Sequence, residues 1–139
     1  MSVLVTDSGF AGDDWTGAIV PLGDLACPDS AGARAVDVAS DDDPAALSDR
    51  LDAMDMIRVD FASFADGRGF TIAAQLRRMG YRGRLRARGD VIADQYAMAR
   101  RSGFDEVEID ATLAARQPEE QWRRRADWQA HDYQARLRG

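Results

Sequence analysis

Residues 56–110 carry the clearest hydrophobic pattern in the chain and predict strand, helix, strand, helix and strand in that order. Apolar and charged residues alternate in three short runs, as they do in half-buried strands. Between the runs, apolar residues recur three and four positions apart, and each helix ends at a glycine suited to a C-cap, Gly80 or Gly103. Two successive βα units favour parallel strands joined by right-handed crossovers. The three strands are 57–61, 84–88 and 106–110.

The flanking residues predict further elements. Two β-like runs, Val3–Val5 and Ala18–Val20, lie on either side of a Gly/Asp-rich turn and predict an N-terminal hairpin. Residues 35–39 predict another strand. Asp41–Asp43 stand directly before a proline, and this arrangement signals a helix start. A calcium site is the weaker interpretation, because three adjacent Asp lack the spacing of a calcium loop. This helix has an apolar stripe at Leu47, Leu51 and Met54, and a last helix over 118–129 has Trp122 and Trp128 on its buried side.

These elements predict an α/β fold, with a mainly parallel sheet of about four strands, helices packed on it, and the N-terminal hairpin at one edge. We expect one domain over residues 1–139, which suits the length of the chain. Within it, residues 1–34 form the hairpin and loop extension, 35–130 the βα core and 131–139 a tail. Flavodoxin-like winding and a partial βα-barrel are both compatible with the pattern.

Composition excludes several classes of protein. The only cysteine is Cys27, so the chain forms no internal disulfide and builds no thiolate metal centre or iron–sulfur cluster by itself. No apolar run approaches the ~20 residues that cross a bilayer, and the first residues lack the basic and apolar segments of a signal peptide. We therefore expect a cytoplasmic protein that is not bound to a membrane.

Charge is distributed unevenly along the chain. Residues 1–66 hold 14 Asp and 3 Arg, for a net charge of −11, whereas residues 67–139 have a net charge of +5. An acidic half beside a basic half can attract a charged partner or a small anion. The whole chain is acidic, with a pI near 4.7, and we expect no binding to nucleic acid.

The strongest candidate for a binding site is the glycine-rich turn between the first strand and helix of the 56–110 region. Its two glycines begin a dinucleotide fingerprint, but Ile72 stands where the third glycine belongs, and no phosphate-loop lysine follows. Backbone amides at a helix N-terminus and an arginine can still hold an anion. The next turn along the sheet adds a carboxylate and an amide. The candidate ligand-binding residues are Asp66, Gly67, Arg68, Gly69, Thr71, Arg86, Asp90 and Gln95.

The same residues also have structural interpretations. The glycines serve turn geometry, Arg68 pairs with Asp66, and Asp90 caps the following helix. Arg86 faces the site only if strand alternation turns it that way. The sequence assigns no catalytic residue, because the single histidine, His131, has no nucleophile that the pattern places beside it, and it predicts no metal site.

Several motifs together resemble a bacterial family known as domain of unknown function 934. They run along nearly the whole chain, and the densest are Phe64–Thr71, Gly80–Gly83, Gly89–Val91 and Arg100–Asp105. Members of that family usually carry Cys at the position of Ser102 in this chain. The resemblance implies a role beside assimilatory sulfate reduction, since the genes of the family commonly lie beside those for sulfite reductase and its members are often described as oxidoreductases involved in sulfite reduction.

Two functions follow as expectations. The first is an accessory protein of sulfite reduction that binds the reductase or its electron donor. The second is a small oxidoreductase or other enzyme that binds an oxyanion or nucleotide at the Asp66–Thr71 turn. Neither the resemblance nor the residues identify a cofactor.

Overall fold

A computed structural model describes residues 2–25 and 32–126, and its centre is one seven-stranded sheet. The predicted loop position Cys27, together with Trp128 and His131, lies outside the described residues. The strands are β1 Ser2–Thr6, β2 Gly9–Gly12, β3 Val20–Pro21, β4 Ala35–Val38, β5 Met56–Phe61, β6 Arg84–Gly89 and β7 Glu106–Asp110.

In the described part of the chain, four α-helices accompany the sheet: α1 Arg68–Arg78, α2 Tyr96–Ser102, α3 Ala111–Arg116 and α4 Glu119–Arg123. Both predicted glycine C-caps adopt positive φ, 103° at Gly80 and 116° at Gly103. Where one helix was predicted after Asp43, the chain instead makes two short 3-10 helices, Pro44–Leu47 and Leu51–Ala53. The apolar stripe predicted there is nevertheless buried. No helix in the described ranges is both long and apolar enough to span a membrane.

The strands lie in the order β2-β1-β7-β6-β5-β4-β3, and β3 to β7 are parallel neighbours in sequence order. The prediction that strands 57–61 and 84–88 are parallel neighbours is confirmed. Flavodoxin-like winding is excluded, because that fold reverses its strand order beside the first strand. Since every crossover in β3–β7 runs in the same direction, the intervening helices collect on one face of the sheet.

An N-terminal hairpin is present, but it uses different residues from those predicted. β1 pairs with β2, antiparallel, with Val5 opposite Phe10. Val20 forms part of β3 and pairs with Val36 at the far edge of the sheet. The error arose because Gly9 and Gly12 lowered the apparent strand propensity of β2, whereas Gly9 has a φ of 115° that suits the tight turn after β1.

One face of the sheet is apolar and packs on the helices. Alternate residues of β4 to β7 point to it, including Val59, Leu85 and Val107, all fully buried. Helix α1 contributes Ile72, Ala73 and Leu76 to the same core, as its spacing predicted. Trp122 of α4 is 1% exposed, which confirms its predicted core position.

The opposite face carries a network of ion pairs. Strand register aligns Asp37, Arg58, Arg86 and Glu106 in one row across β4 to β7. Arg86 is fully buried; its Nε donates to Glu106 Oε2 at 2.5 Å and its Nη1 to Glu108 Oε1 at 2.7 Å. Arg58 donates to Asp37 and Glu108, and these hydrogen bonds, led by the one to Asp37, raise its pKa above the ordinary arginine value.

Residues 13–19 cross this charged face, and we call them the strap. The strap must span the sheet because β2 lies at one edge and β3 at the other. It makes no regular secondary structure. Asp13 Oδ1 lies 3.2 Å from Arg86 Nη1, and Asp14 Oδ1 lies 2.5 Å from Arg84 Nη2. The sheet therefore has helices on one side and an acidic strap over an arginine-rich surface on the other.

The buried pairs predict a large cost for removing one charge. Glu108→Gln removes the carboxylate that Arg86 and Arg58 share and leaves each of them one close partner, Glu106 and Asp37 respectively, so we expect a loss of about 2 kcal/mol in the free energy of unfolding by denaturant titration. Glu120→Gln is the matched control, because Glu120 pairs with Arg124 on the surface at 78% side-chain exposure. This control should change stability by less than about 0.5 kcal/mol. Equal effects of the two substitutions would contradict the energetic role of the network.

Candidate functional site

The turns that follow β5 and β6 lie side by side at the carboxyl edge of the parallel strands. The amide of Asp90 donates to the carbonyl of Phe61 at 3.0 Å. Gln95 joins the turns through its side chain, which donates to the Phe64 carbonyl at 2.7 Å and accepts from the Ile92 amide at 3.0 Å. The structure thus brings together the two turns that hold the predicted site residues. Gln95 links them through hydrogen bonds to the backbone of each turn.

Arg68 and Asp66 form a local, bidentate ion pair. Arg68 Nε and Nη2 donate to the two carboxylate oxygens of Asp66 at 3.0 and 2.9 Å, and the Arg68 amide donates to Oδ1 at 3.1 Å. The Arg68 side chain is 62% exposed at the start of α1. The hydrogen bonds from Arg68, with a smaller contribution from Ser40, hold the pKa of Asp66 well below its usual range. The arginine proposed as an anion ligand is therefore already paired.

The two glycines of the turn differ in their surroundings. A Cβ built at Gly69 would overlap the ring of Phe61, whereas a Cβ at Gly67 would meet no atom within 4 Å. Gly69 is buried and Gly67 exposed. The absence of a side chain at Gly69 lets α1 approach β5 closely. Thr71, in the first turns of the helix, is exposed.

Arg86 does not share this edge with the other candidates. Strand alternation points its side chain to the charged face, where Glu106 and Glu108 hold it, while its neighbours Leu85 and Ala87 join the core on the helix side. The expected single crevice containing both Arg68 and Arg86 is therefore corrected. Ligand binding by the remaining residues stays a prediction.

The predicted helix cap at Asp90 is also corrected. The chain bends at Asp90 after β6, Ile92 is extended, and a short 3-10 helix, Ala93–Gln95, precedes α2. Gln95 satisfies the Ile92 amide at this start. Asp90 is exposed and borders the cavities on both sides of the β6–α2 turn.

This edge of the sheet carries a cavity of about 360 Å³ next to the β5–α1 turn. Phe64 stands beside it with 59% of its surface exposed, an unusual position for a large aromatic side chain. Arg116 and Asp90 supply charges of opposite sign at the rim. The lining residues are Phe64, Asp90, Ile92, Leu113, Arg116 and Gln117.

Sequence reasoning missed both this cavity and the charged face. The cavity depends on α3, a six-residue helix that no periodic pattern announced. The charged face did leave a signal, since β5, β6 and β7 each carry charges at every second position. Arginines on one strand opposite glutamates on the next would have indicated a paired face rather than a solvated one. Among residues 2–25 and 32–126, no group of three or more Asp, Glu, His or Cys is arranged to hold a metal ion.

Fold and edge together define a single-sheet α/β protein with its accessible turns at the carboxyl ends of parallel strands. The family model described as bacterial protein of unknown function (DUF934) matches residues 35–139. The chain belongs to this family, as the sequence resemblance predicted. A comparison with curated proteins found no match. The matched range begins at β4, so β1, β2, the strap and β3 lie before it.

Two glycine substitutions test whether packing requires a glycine in this turn. Gly69→Ala should lower the free energy of unfolding by roughly 1–3 kcal/mol, because the new methyl group must displace the Phe61 ring. Gly67→Ala has open space around it and should change stability by less than about 0.5 kcal/mol. Thermal or denaturant unfolding measures both. If Gly69→Ala were as stable as Gly67→Ala, the close approach of α1 to β5 would not explain this glycine.

A titration tests the local ion pair. In Arg68→Gln the Asp66 carboxyl loses its main hydrogen-bond donors, so its pKa should rise toward the ordinary aspartate value. Because the folded-state pKa is depressed, the pair stabilises the fold near neutral pH, and this contribution is lost as the pH falls through the pKa of Asp66. Carboxyl carbon shifts in NMR measure the titration, with exposed Asp49 as the internal control. An Asp66 titration unchanged by Arg68→Gln would contradict the pairing.

Proposed function

We propose that this protein is a non-catalytic accessory protein of assimilatory sulfite reduction that binds sulfite reductase or its electron donor. The link to sulfite reduction comes from the family to which the chain belongs and from the role that the family resemblance implies. The structure contributes support for binding to a protein, through the properties of the carboxyl edge of the sheet.

This proposal rests on a contrast at that edge. The charged side chains of the turn bind each other, whereas the aromatic side chain of Phe64 is exposed. Asp66 and Arg68 bind each other, and Gln95 binds the backbone of both turns. Phe64 projects beside an open cavity whose lining includes Ile92 and Leu113. An exposed aromatic next to an apolar depression with a charged rim is typical of a surface that docks another protein.

The alternative is a small oxidoreductase or other enzyme that takes an oxyanion or nucleotide at the Asp66–Thr71 turn. One observation favours it: the Arg68 guanidinium is largely exposed at the first turn of an 11-residue helix, where an anion in solution reaches both the side chain and the helix dipole. Such a ligand has to compete with Asp66 for Arg68. Saturable thermal stabilisation by sulfite, phosphate, a nicotinamide nucleotide or a flavin that is lost in Arg68→Gln would support this enzyme over the accessory protein.

A binding assay with purified components tests the accessory role. We expect the immobilised protein to retain either sulfite reductase or its electron-donor protein, each assayed separately by surface plasmon resonance. Phe64→Ala should weaken that binding by about tenfold or more, as truncation of an exposed aromatic anchor does. Met98→Ala is the matched control, because Met98 is 54% exposed on α2, away from the cavity.

Two results would contradict the proposal. One is the absence of binding to either component at micromolar concentrations. The other is a deletion strain that grows normally with sulfate as the sole sulfur source and shows normal sulfite reductase activity. A loss of binding that is equal in Phe64→Ala and Met98→Ala would instead remove the docking role from the Phe64 cavity.

A further inference from the structure

The strap lies over a surface with an unsatisfied hydrogen-bond donor. Among the described residues, the buried side-chain polar atoms without a hydrogen-bond partner are Arg86 Nη2 and Trp15 Nε1. Trp15 belongs to the strap and Arg86 lies beneath it. Buried donors are nearly always hydrogen-bonded in proteins. Each of these two atoms therefore indicates a position where a hydrogen-bond acceptor can bind.

The free nitrogen of Arg86 faces the strap. The guanidinium uses Nε for Glu106 and Nη1 for Glu108, both from β7. From the strap, Asp13 Oδ1 approaches Nη1 at 3.2 Å, but Asp14 Oδ1 stops 3.9 Å from Nη2, too far for a hydrogen bond. Asp14 pairs with Arg84 instead. The strap carboxylates therefore cover two arginines of β6, and they leave Arg86 Nη2 without a hydrogen bond.

The charge of this face explains why acids cover it. Arg84 and Arg86, which the strap carboxylates contact, together carry a charge of +2, and Asp13 and Asp14 bring −2. A divalent oxyanion carries the same charge as the two strap carboxylates, and its oxygens suit the N–H groups of paired arginines. Around Arg84 and Arg86, the same face of the sheet carries Asp37, Arg58, Asp60, Arg88, Glu106 and Glu108.

The strap is also held loosely. Within the described ranges, residues 13–19 make no backbone–backbone hydrogen bond outside the flanking strands, and the Trp15 amide donates only to Asp13 Oδ1 inside the strap, at 3.0 Å. Asp13 and Asp14 keep 34% and 69% of their side-chain surface exposed. Solvent and dissolved anions thus reach the carboxylates that hold the strap to β6.

We propose that the strap covers a binding site for a divalent oxyanion on the helix-free face, formed by Arg84 and Arg86, in which Asp13 and Asp14 occupy the place of the ligand. A bound oxyanion displaces the two carboxylates and accepts a hydrogen bond from Arg86 Nη2. The strap then detaches from β6. This site is separate from the Phe64 cavity, and it stands or falls independently of any protein partner.

Calorimetric titration with sodium sulfate and sodium phosphate tests the proposal, with sodium chloride at equal ionic strength as the reference. The variant Asp13→Asn with Asp14→Asn removes the competing charges, so it should bind sulfate or phosphate about tenfold more tightly than the wild type. Asp49→Asn with Asp52→Asn removes the same charge from exposed positions away from the strap and should bind like the wild type. Which anion binds more tightly identifies the preferred oxyanion.

Two further measurements keep the test decisive. Adding Arg84→Gln to the strap variant should abolish the gain in affinity, and saturating sulfate should accelerate amide exchange of residues 13–19 in the wild type. If the double variant fails to fold, Asp14→Asn alone supports the same comparison. The proposal is overturned if removal of the strap carboxylates leaves oxyanion affinity equal to that of the wild type, or if Arg84→Gln leaves it unchanged.

Discussion

The buried guanidinium of Arg86 is the constraint on which the charged face depends. A cation without solvent contact in the middle of a sheet needs carboxylates within hydrogen-bond reach, and β7 supplies two of them in the matching register. These glutamates in turn fix Arg84 and Arg58. Ion pairs therefore reinforce the alignment of β5, β6 and β7 that the backbone ladder sets, and a register slip of one residue would place these charges in the apolar core.

The parallel strands lie side by side in sequence order, and this order determines where a binding crevice can form. Doubly wound sheets make a crevice where neighbouring crossovers diverge to opposite faces. Strands β3 to β7 follow one another without reversal, so their crossovers share one face and no such crevice opens between them. The accessible features lie instead at the Phe64 cavity, beside the carboxyl edge of the parallel strands, and on the face beneath the strap.

Local sequence patterns predicted most of the helices and strands. They predicted less well which strands pair and which face of the sheet a side chain points to. Helix α1, its glycine C-cap and strands β4 to β7 could be read from periodicity, because each depends on residues close in sequence. The partner of β1 could not, since Gly9–Gly12 has little strand propensity and pairs because β1 offers a free edge. The position of Arg86 required knowing which face of β6 the helices cover. The Asp66–Arg68 pair joins residues two positions apart, and this local spacing predicted it.

The pairing of the first strand with the last has a consequence for the order of folding. Val3 lies opposite Ile109, so the sheet gains its antiparallel edge only when residues more than a hundred positions apart meet. During synthesis, β1, β2 and the strap leave the ribosome before any of their partners in β6 and β7 exist. Until β6 emerges, the acidic strap has no arginines to cover, and its negative charge helps keep the nascent chain soluble. Non-local closure of this kind is slow, and it makes the N-terminal segment the last part of the sheet to settle.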